Sequence, residues 1–437
     1  MPVEGKPHYR RTQDGLVNLV SGMGTSRDKG AMTRYTMPAM GEMDAIAAYK
    51  ASALIRRAID LPAEDACREW REWNAEKEQI TAIEAEEKRL GVQSKVMQAM
   101  KLARLTGGAA VLIGDGDADP SQPLEPNRIT SKGIKYLTVL TTQDFAAGEI
   151  EQDPTLSGYG KAVYWSLRGG ARVHPSRMVV LTGQEAVYGF GIDLHPGLGD
   201  SVLMGAMPAL QRVDVAAENI NSLLFEAKVD VFKIPGLMEN LARRGDAYSN
   251  EVIRRLTLAA TGKGISGALV MDASEEYEQK SASFAGLPDV LDRFMQLAAS
   301  VTGIPMTLLF GMSPAGMNAT GDADTRGYYD RVRVVQTLQM QPSMAILDEC
   351  LIRSALGARP PELFYNWRPL WQPTAKDRAE IGLKIVETLE KLNGMGVIPS
   401  EAVGETAVNA LTESGVFPGL EAAVEGQEDD IAEDDGM

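Results

Sequence analysis

The sequence predicts an α+β protein in which short strands are grouped in two places and long helices fill most of the remaining chain. Strand-like apolar runs separated by Gly, Asp and Pro turns cluster between residues 109 and 182. A strand–helix–strand unit at 228–281 interrupts two long helical patterns, and further helical patterns extend from 325 to about 413. With 437 residues and 44% apolar content, the chain is long enough for two or three ordinary globular domains.

The first 200 residues are predicted to form an arm followed by an α/β region. Residues 1–42 show no periodicity, and we expect an extended or poorly ordered arm. Apolar spacing then predicts helix over 45–73, with Pro62 inside it, and a charged helix pair over 80–105. The β signals that follow predict strands over 109–114, 136–140, 162–167 and 178–181.

Two long helices with an insert between them are predicted next. Asp200 can cap a helix over 201–227, in which Pro208 introduces a kink or marks the true start. The second helix lies in 282–303 and ends at Gly303, because glycine tolerates the left-handed conformation of a helix end.

The insert at 228–281 contains an alternating strand at 229–234, a helical stretch from Met238 to Thr261 broken near Gly245, and a strand over 268–271. Because it lies between two long helices, we expect it to project as a small separate domain.

A loop of about twenty residues, 304–324, follows the second long helix. Loops of this length in compact proteins are mostly functional or disordered. This one is too apolar for a solvated linker, because it carries Met306, Leu308, Leu309, Phe310, Met312 and Met317. An apolar loop between two long helices predicts a moving part rather than the lining of a pocket.

The C-terminal third is predicted to be mostly helical. A long helix follows from residue 325 with a kink at Pro342, and then a strand at 364–367. Two helices are expected over 374–392 and 399–413. The last eighteen residues carry eight acids and no base, which predicts a disordered acidic tail.

Charge and composition exclude several classes of protein. The net charge of −16 argues against tight nonspecific binding of nucleic acid. An acidic surface can still let a polyanion pass without binding it. Two distant cysteines, Cys67 and Cys350, exclude a disulfide scaffold and fit a reducing compartment. Since the sequence contains no apolar run of about 18 residues, we expect no membrane span.

Two local clusters of charged residues are candidates for a binding or catalytic role. Asp115, Asp117 and Asp119 resemble the start of a calcium loop, but prolines occupy the sixth and twelfth positions, which favours a polar turn. We therefore expect no metal, no cofactor and no catalytic residue, and we predict that the chain is not an enzyme. The one local basic cluster lies in the insert and is either a solvated helix face or a docking or DNA-facing patch; its members are Arg243, Arg244, Arg254 and Arg255.

Several segments resemble those of tailed-bacteriophage portal proteins, also called head-to-tail connectors. The most specific is 303–321, Gly-Ile-Pro-Met-Thr-Leu-Leu-Phe-Gly-Met-Ser-Pro-Ala-Gly-Met-Asn-Ala-Thr-Gly, continued by Asp324-Thr-Arg-Gly-Tyr-Tyr-Asp-Arg331. The segments 56–70 and 105–113 are also similar to the family, and the order of elements matches it over 45–415.

The resemblance implies a portal fold with named parts and a ring of usually twelve copies at one capsid vertex. The parts are a flexible arm (1–42), a wing (43–200), stem helix 1 (201–227), a clip (228–281), stem helix 2 (282–303), a tunnel loop (304–324), a long kinked helix with wing return (325–373), a small helical crown (374–418) and an acidic tail (419–437).

The resemblance also implies partners and a location. Double-stranded DNA would pass through the ring during packaging and ejection. The large terminase subunit and a head–tail adaptor would dock at the clip, and the major capsid or scaffolding protein would contact the wing. The protein would assemble in the host cytoplasm and remain in the virion.

Within the tunnel loop, the resemblance assigns particular residues. Those lining the narrowest part would be Ile304, Met306, Leu308, Leu309, Phe310, Met312, Met317 and Asn318. Because glycine permits unusual backbone angles, the loop would flex at the hinges Gly303, Gly311, Gly316 and Gly321.

Two alternatives stay open from the residues. One is another head–tail connector or minor capsid protein, which would form a different ring or stay monomeric before assembly. The more distant one is a metal-dependent hydrolase that uses Asp115, Asp117 and Asp119.

Overall fold

The computed structural model contains helices and antiparallel strand pairs, which confirms the α+β class. It describes residues 40–116, 119–185, 196–225, 228–266, 276–281, 284, 286–312, 321–371, 375–394 and 399–413. In these ranges, no helix combines the length and apolarity that a membrane crossing requires. The proposed arm up to residue 39 and the acidic tail lie outside the described residues.

Four helices open the described chain: α1 (Glu42–Ala51), α2 (Ala53–Arg68), α3 (Lys77–Leu90) and α4 (Val92–Thr106). The helix predicted over 45–73 is therefore two helices, separated at Ser52, whose hydroxyl caps α2 by accepting from the Ile55 N–H at 3.3 Å. The charged pair predicted over 80–105 is confirmed. Gly91 joins α3 to α4 with φ of 65°, a left-handed conformation that favours glycine.

Pro62 lies inside α2 without ending it. Proline has no N–H, so the Ala58 carbonyl four residues earlier loses its helical partner. Arg104 of α4 supplies a replacement, because its Nη2 donates to the Ala58 carbonyl and its Nε to the Ile59 carbonyl, both at 3.0 Å. One buried guanidinium thus holds α2 and α4 together at the proline.

The prediction that Trp70 and Trp73 continue the helix is wrong. The chain turns extended after Arg68 and forms strand β1 (Arg71–Asn74), which pairs with β10 (Phe364–Trp367). Its side chains alternate between buried and exposed, as a half-buried strand requires. Trp70 packs edge-on against Trp367 with ring centroids 5.4 Å apart, so a partner almost 300 residues away decides this local structure.

The remaining strands of the N-terminal region form two three-stranded antiparallel sheets. In the first, β2 (Gly108–Gly114) lies between β3 (Tyr136–Thr141) and β7 (Met178–Thr182). The second has the order β4 (Phe145–Ile150), β5 (Ala162–Leu167) and β6 (Arg172–Val173). The four strands predicted from sequence are confirmed, whereas β4 and β6 were not predicted.

Helix α5 (Leu203–Phe225) packs against α7 (Leu287–Thr302), and this pair emerges from the core. The buried residues of α5 end at Val213, and those of α7 begin at Met295. The far half of each helix therefore contacts little besides its partner helix. Pro208 lies inside α5 rather than at its start.

The insert sits at the far end of this pair. Strand β8 (Lys228–Lys233) pairs antiparallel with β9 (Glu276–Ser281), and α6 (Leu237–Ser266) lies between them in sequence. Gly245 has φ 55° and ψ −139°, which confirms the predicted break in α6. The strand predicted over 268–271 lies outside the described residues, and the segment that pairs with β8 is 276–281 instead.

The C-terminal part contains α8 (Met306–Phe310), α9 (Asp322–Val334), α10 (Gln341–Leu356), β10, α11 (Ala375–Gly394) and α12 (Ser400–Glu413). Residues Val335–Met340 form a π-helical segment that joins α9 to α10. Pro342 follows it in the first turn of α10, where a missing N–H costs least. The irregularity predicted at Pro342 is thus a change of helix type just before it.

Most buried side chains belong to one core. In this core α4 packs on the β2 sheet and on α2, while α10 packs against α3 and β7. A smaller cluster around Phe145 and Trp165 lies under the second sheet.

Candidate channel and assembly surfaces

The base of the predicted tunnel loop is fixed to the protein body. Gly303 ends α7 with φ of 67°, and its carbonyl accepts a 3.3 Å hydrogen bond from Arg331 Nη1 of α9. A side chain at this position would lie 2.9 Å from the same guanidinium. The Leu308 carbonyl accepts from Arg57 Nε of α2 at 2.8 Å. Two arginines on two helices therefore hold the backbone of 303–308.

This geometry corrects the role predicted for part of the loop. Residues 306–310 are helical, and Ile304 and Leu309 are 1% and 2% exposed within the main core. Side chains buried in their own subunit are not available to line a channel. Met306, Leu308 and Phe310 are half-buried and also pack against the core. Apolar composition alone did not distinguish these anchoring residues from the rest of the predicted loop.

The rest of the predicted loop begins at Gly311. Met312 is 41% exposed. Gly311 and Gly321 both have φ of 71°, so the chain turns at both positions in a conformation that favours glycine. Gly316, Met317 and Asn318 lie outside the described residues.

One face of α7 carries exposed apolar side chains. Val290, Leu297 and Val301 are 50%, 40% and 46% exposed. Their spacing of seven and four residues places them along one helix stripe, away from the buried Met295. We call these three residues the α7 stripe. A line of half-exposed aliphatic side chains on one helix is typical of a protein–protein contact.

The described outer half of α5 exposes both polar and apolar side chains, the apolar ones being Val215 and Leu223 at 53% and 41%. Along α5, the polar residues Gln211, Glu218 and Asn221 are exposed. Asp214 Oδ2 accepts from the Ser52 hydroxyl at 2.8 Å, which fixes α5 to the junction of α1 and α2. The α5–α7 pair thus combines a mixed surface on α5 with the α7 stripe.

The four arginines predicted as a docking patch all lie on α6. Arg243 and Arg244 come just before the break at Gly245, and Arg254 and Arg255 follow it. Arg243 is 3.9 Å from Glu239, and Arg244 is 3.2 Å from Glu251, so the charge of each is partly balanced. The same helix exposes apolar residues, among them Met238, Ile253 and Leu258 at 77%, 61% and 65%. Helix α6 therefore offers a mixed surface rather than a purely basic one.

The aspartates considered for a cation take part in local structure. Asp115 pairs with Arg177 at 2.8 Å. The Asp119 carboxylate accepts from both the hydroxyl and the N–H of Ser121, and these bonds lower the pKa of Asp119. Asp117 lies outside the described residues. Both described carboxylates match the polar-turn interpretation.

A buried charge cluster around Arg71 was not predicted from the sequence. The Arg71 side chain is fully buried, with its Nε donating to Glu87 at 2.8 Å and its Nη1 to Asp348. Burial alone would lower the pKa of Arg71, but the two carboxylates raise it above its usual value. Trp73 and Tyr365 also lie 4.7 Å from its guanidinium carbon. This cluster joins β1 and β10 to α3 and α10, and its role is structural.

Comparison with protein-family models identifies one family. A family model described as phage portal protein matches residues 43–391. A Caulobacter sp. (strain RHG1) protein named anti-CBASS protein Acb1 is 37% identical over 431 residues, covering 94% of this chain and 68% of the relative. An uncharacterized Haemophilus influenzae protein is 26% identical, covering 96% of this chain and 93% of the relative.

A solved structure of the neck of a native gene transfer agent particle, computed with C12 symmetry, also resembles the chain. It has a TM-score of 0.49 and 15% identity, covering 80% of this chain and 90% of that one.

Proposed function

Because this chain belongs to the phage portal protein family, we propose that its copies form a ring at one capsid vertex through which double-stranded DNA passes during packaging and ejection. The family match over 43–391 is the observation that carries this proposal. We propose twelve copies, the number usual in the family that the sequence resembles. Assembly takes place in the host cytoplasm, and the ring stays at the portal vertex of the virion.

Two features of the subunit support a ring. The α7 stripe leaves three aliphatic side chains half-exposed on a helix pair that emerges from the core. A ring closes through head-to-tail contacts, in which one face of a subunit meets a different face of its neighbour. Helix α6, beyond the far end of the pair, exposes further apolar residues. A single subunit leaves these surfaces in water, whereas neighbours in a ring would cover them.

The charge of the chain supports passage rather than grip. Tight nonspecific binding of DNA depends on many contacts between cations and phosphates, which a net charge of −16 disfavours. We propose that the protein acts as a passive channel and valve, and that a separate motor hydrolyses ATP. Within the valve, 303–310 is the fixed base and 311–321 the moving part.

We assign the remaining partners to surfaces by position. The insert 228–281 would receive the large terminase subunit during packaging and a head–tail adaptor afterwards, using the mixed surface of α6. The α/β region over 43–200, with the return strand β10, would face the major capsid or scaffolding protein. The helical pair α11–α12 would form a small crown.

The name of the Caulobacter relative raises a separate question. This chain covers 68% of that relative, so about a third of the relative has no counterpart here. Because the alignment covers 94% of this chain, the shared part includes most or all of the 43–391 that the portal family model matches. We propose that the anti-CBASS activity in the name resides in the unmatched third, and that this chain is not an enzyme. An anti-CBASS assay of this chain alone tests this, and activity would overturn the assignment.

The ring proposal is tested by purified protein. We expect native mass spectrometry and negative-stain images to show closed rings. Monomers at every concentration, with no rings on grids, would favour a different connector or minor capsid protein. For the hydrolase alternative, a rise in thermal stability on adding Ca²⁺ that is lost in Asp117→Ala would revive a metal site.

The valve is tested by removing its proposed moving part. Deletion of Pro314–Gly321 should spare ring assembly, because 303–310 is held independently by Arg57 and Arg331. The same deletion should impair genome packaging or retention. The variant Arg331→Met is compared with this deletion, because it should loosen the backbone at Gly303 without shortening the segment 311–321. Normal filling and retention after the deletion would reject the valve.

A further inference from the structure

An open cleft of about 580 Å³ lies between α9, the segment after β10 and α11. Its apolar walls are Pro369, Leu370 and Trp371, with Ile381 of α11 at one side. Ile381 is 39% exposed, so the apolar surface continues to the rim.

Arginine and aromatic rings dominate the polar part of the cleft. The Arg326 guanidinium carbon is 5.0 Å from the Trp371 ring centre. The guanidinium carbon of Arg68 lies 5.1 Å from the ring centre of Tyr329, which also lines the cleft. Arg68 Nη2 donates to the Leu370 carbonyl at 2.8 Å. The described lining includes Arg326, Arg333 and the acid Asp330.

These groups define the chemistry of an occupant. Guanidinium groups bind carboxylates through paired hydrogen bonds, and the Trp371 ring helps to hold the Arg326 fork in place. The apolar walls require aliphatic or aromatic side chains in the same ligand. The cleft therefore fits an acidic peptide that also carries regularly spaced apolar residues.

We propose that residues 414–437 of this same chain occupy the cleft. Phe417, Leu420 and Val424 follow each other at intervals of three and four residues. Acids stand beside them in the sequence, at Glu421 and Glu425. The last eighteen residues carry eight acids and no base, so the charge of this segment complements the cleft.

The helix pair before this segment delivers it to the cleft. Helices α11 and α12 pack together and are joined by only five residues, 395–399, so they run antiparallel. Counting back from this connection, Glu413 at the end of α12 lies level with about residue 381. Ile381 is itself part of the cleft. The 24 residues after Glu413 span up to roughly 80 Å when extended, so they easily reach the two arginines.

Occupation of the cleft would fasten the α11–α12 pair to α9. The described part of this pair exposes Leu383 and Val386 at 59% and 46%. A segment that begins at α12 and binds between α9 and α11 acts as a latch across both. The acidic end then controls the position of the pair and has a role beyond solubility. This inference does not depend on the ring.

Hydrogen exchange of the full chain tests the latch. We expect amides over 417–428 to exchange at least tenfold more slowly than in an unstructured peptide. Arg326→Glu should remove this protection, and so should Leu420→Ser, which leaves the cleft itself intact. Arg128→Glu is the matched control, because Arg128 is 79% exposed and pairs with Glu125 elsewhere on the surface. Unprotected amides in the natural sequence, or protection that survives Arg326→Glu, would overturn the proposal.

A disulfide pair identifies which copy supplies the segment. The variant Pro369→Cys with Ala423→Cys should form a bond within one chain, seen as faster migration on a denaturing gel without reductant. The natural thiols should not compete, because burial raises the pKa of both Cys67 and Cys350 to about 12. Disulfide-linked dimers would show that a second copy occupies the cleft, and would overturn the assignment. The assignment would also be overturned if Arg326→Glu impaired packaging while hydrogen exchange of the amides over 417–428 stayed unchanged.

Discussion

Replacing the α7 stripe should weaken assembly without unfolding the subunit. The variant is Val290→Gln, Leu297→Gln and Val301→Gln, in which glutamine keeps the helix propensity and removes the apolar surface. Complete burial of a valine or leucine is worth about 1.5–3 kcal/mol. Because these side chains are 50%, 40% and 46% exposed in one subunit, a neighbour can bury only about half of each. The three together then contribute roughly 2–4 kcal/mol to each contact between subunits.

This free energy corresponds to a loss of roughly 30- to 700-fold in the affinity of one subunit for the next. Native mass spectrometry and light scattering over a range of concentrations should show rings giving way to monomers. Thermal unfolding of the subunit should shift only modestly and stay cooperative, because about half of each replaced side chain is already in contact with water and the glutamine methylenes keep part of the remaining contact. The control is Leu383→Gln with Val386→Gln on α11, which are similarly exposed. Rings that persist at the original concentration, or equal losses in the control, would refute the role of the stripe.

Three further predictions concern the subunit. Arg71→Met should cost about 3–5 kcal/mol of unfolding free energy, because it leaves buried carboxylates without their cation. Burial raises the pKa of Asp348, so this carboxylate takes up a proton at a higher pH than usual and then no longer needs a cation. The difference in unfolding free energy between Arg71→Met and the natural sequence should therefore become smaller as pH falls from 7 to 5. A difference that stays the same across this range would contradict the argument. Arg104→Met should lower the unfolding free energy by about 1–3 kcal/mol, because the Ala58 carbonyl loses its donor. The same replacement should cost much less when Pro62→Ala restores the helical N–H to that carbonyl. Equal costs with and without Pro62→Ala would refute this coupling. Leu309→Ala should cost about 2–5 kcal/mol in urea unfolding, whereas a loss below 1 kcal/mol would argue against an anchored base.

The sequence predicted those elements whose determinants are local. The helices at 77–106, 203–225 and 287–302 follow from apolar spacing and from glycine or proline at their ends. Gly245 was identified as a break because few other residues accept its backbone angles.

Elements that depend on distant partners were predicted poorly. Trp70 and Trp73 fit a helical stripe, yet pairing with Phe364–Trp367 makes this segment extended. Strand β9, Glu276–Ser281, is too polar to signal a strand by itself and is fixed by its register with β8. Short strands such as β4, which contains glycine, have equally weak signals.

The same limit applies to the predicted tunnel loop. Ile304, Leu309 and Met312 are all apolar, but the first two are buried and the third is exposed. What separates them is contact with α2 and α9, including the bonds that Arg57 and Arg331 make to the backbone. Hydropathy cannot supply this information, since both arginines read as ordinary surface cations.

Anchoring of 303–310 limits how far the proposed valve can move. A segment that leaves at Gly311 and returns at Gly321 has about ten residues, each spanning at most 3.3–3.6 Å. Its tip can therefore extend no more than about 17 Å from the subunit, whichever conformation it adopts. Because the fixed part is shared with the core, closing of the proposed valve on DNA would require no rearrangement of α7 or α9. In the proposed ring, each subunit could then open and close while the contacts that we propose for the α7 stripe stay intact.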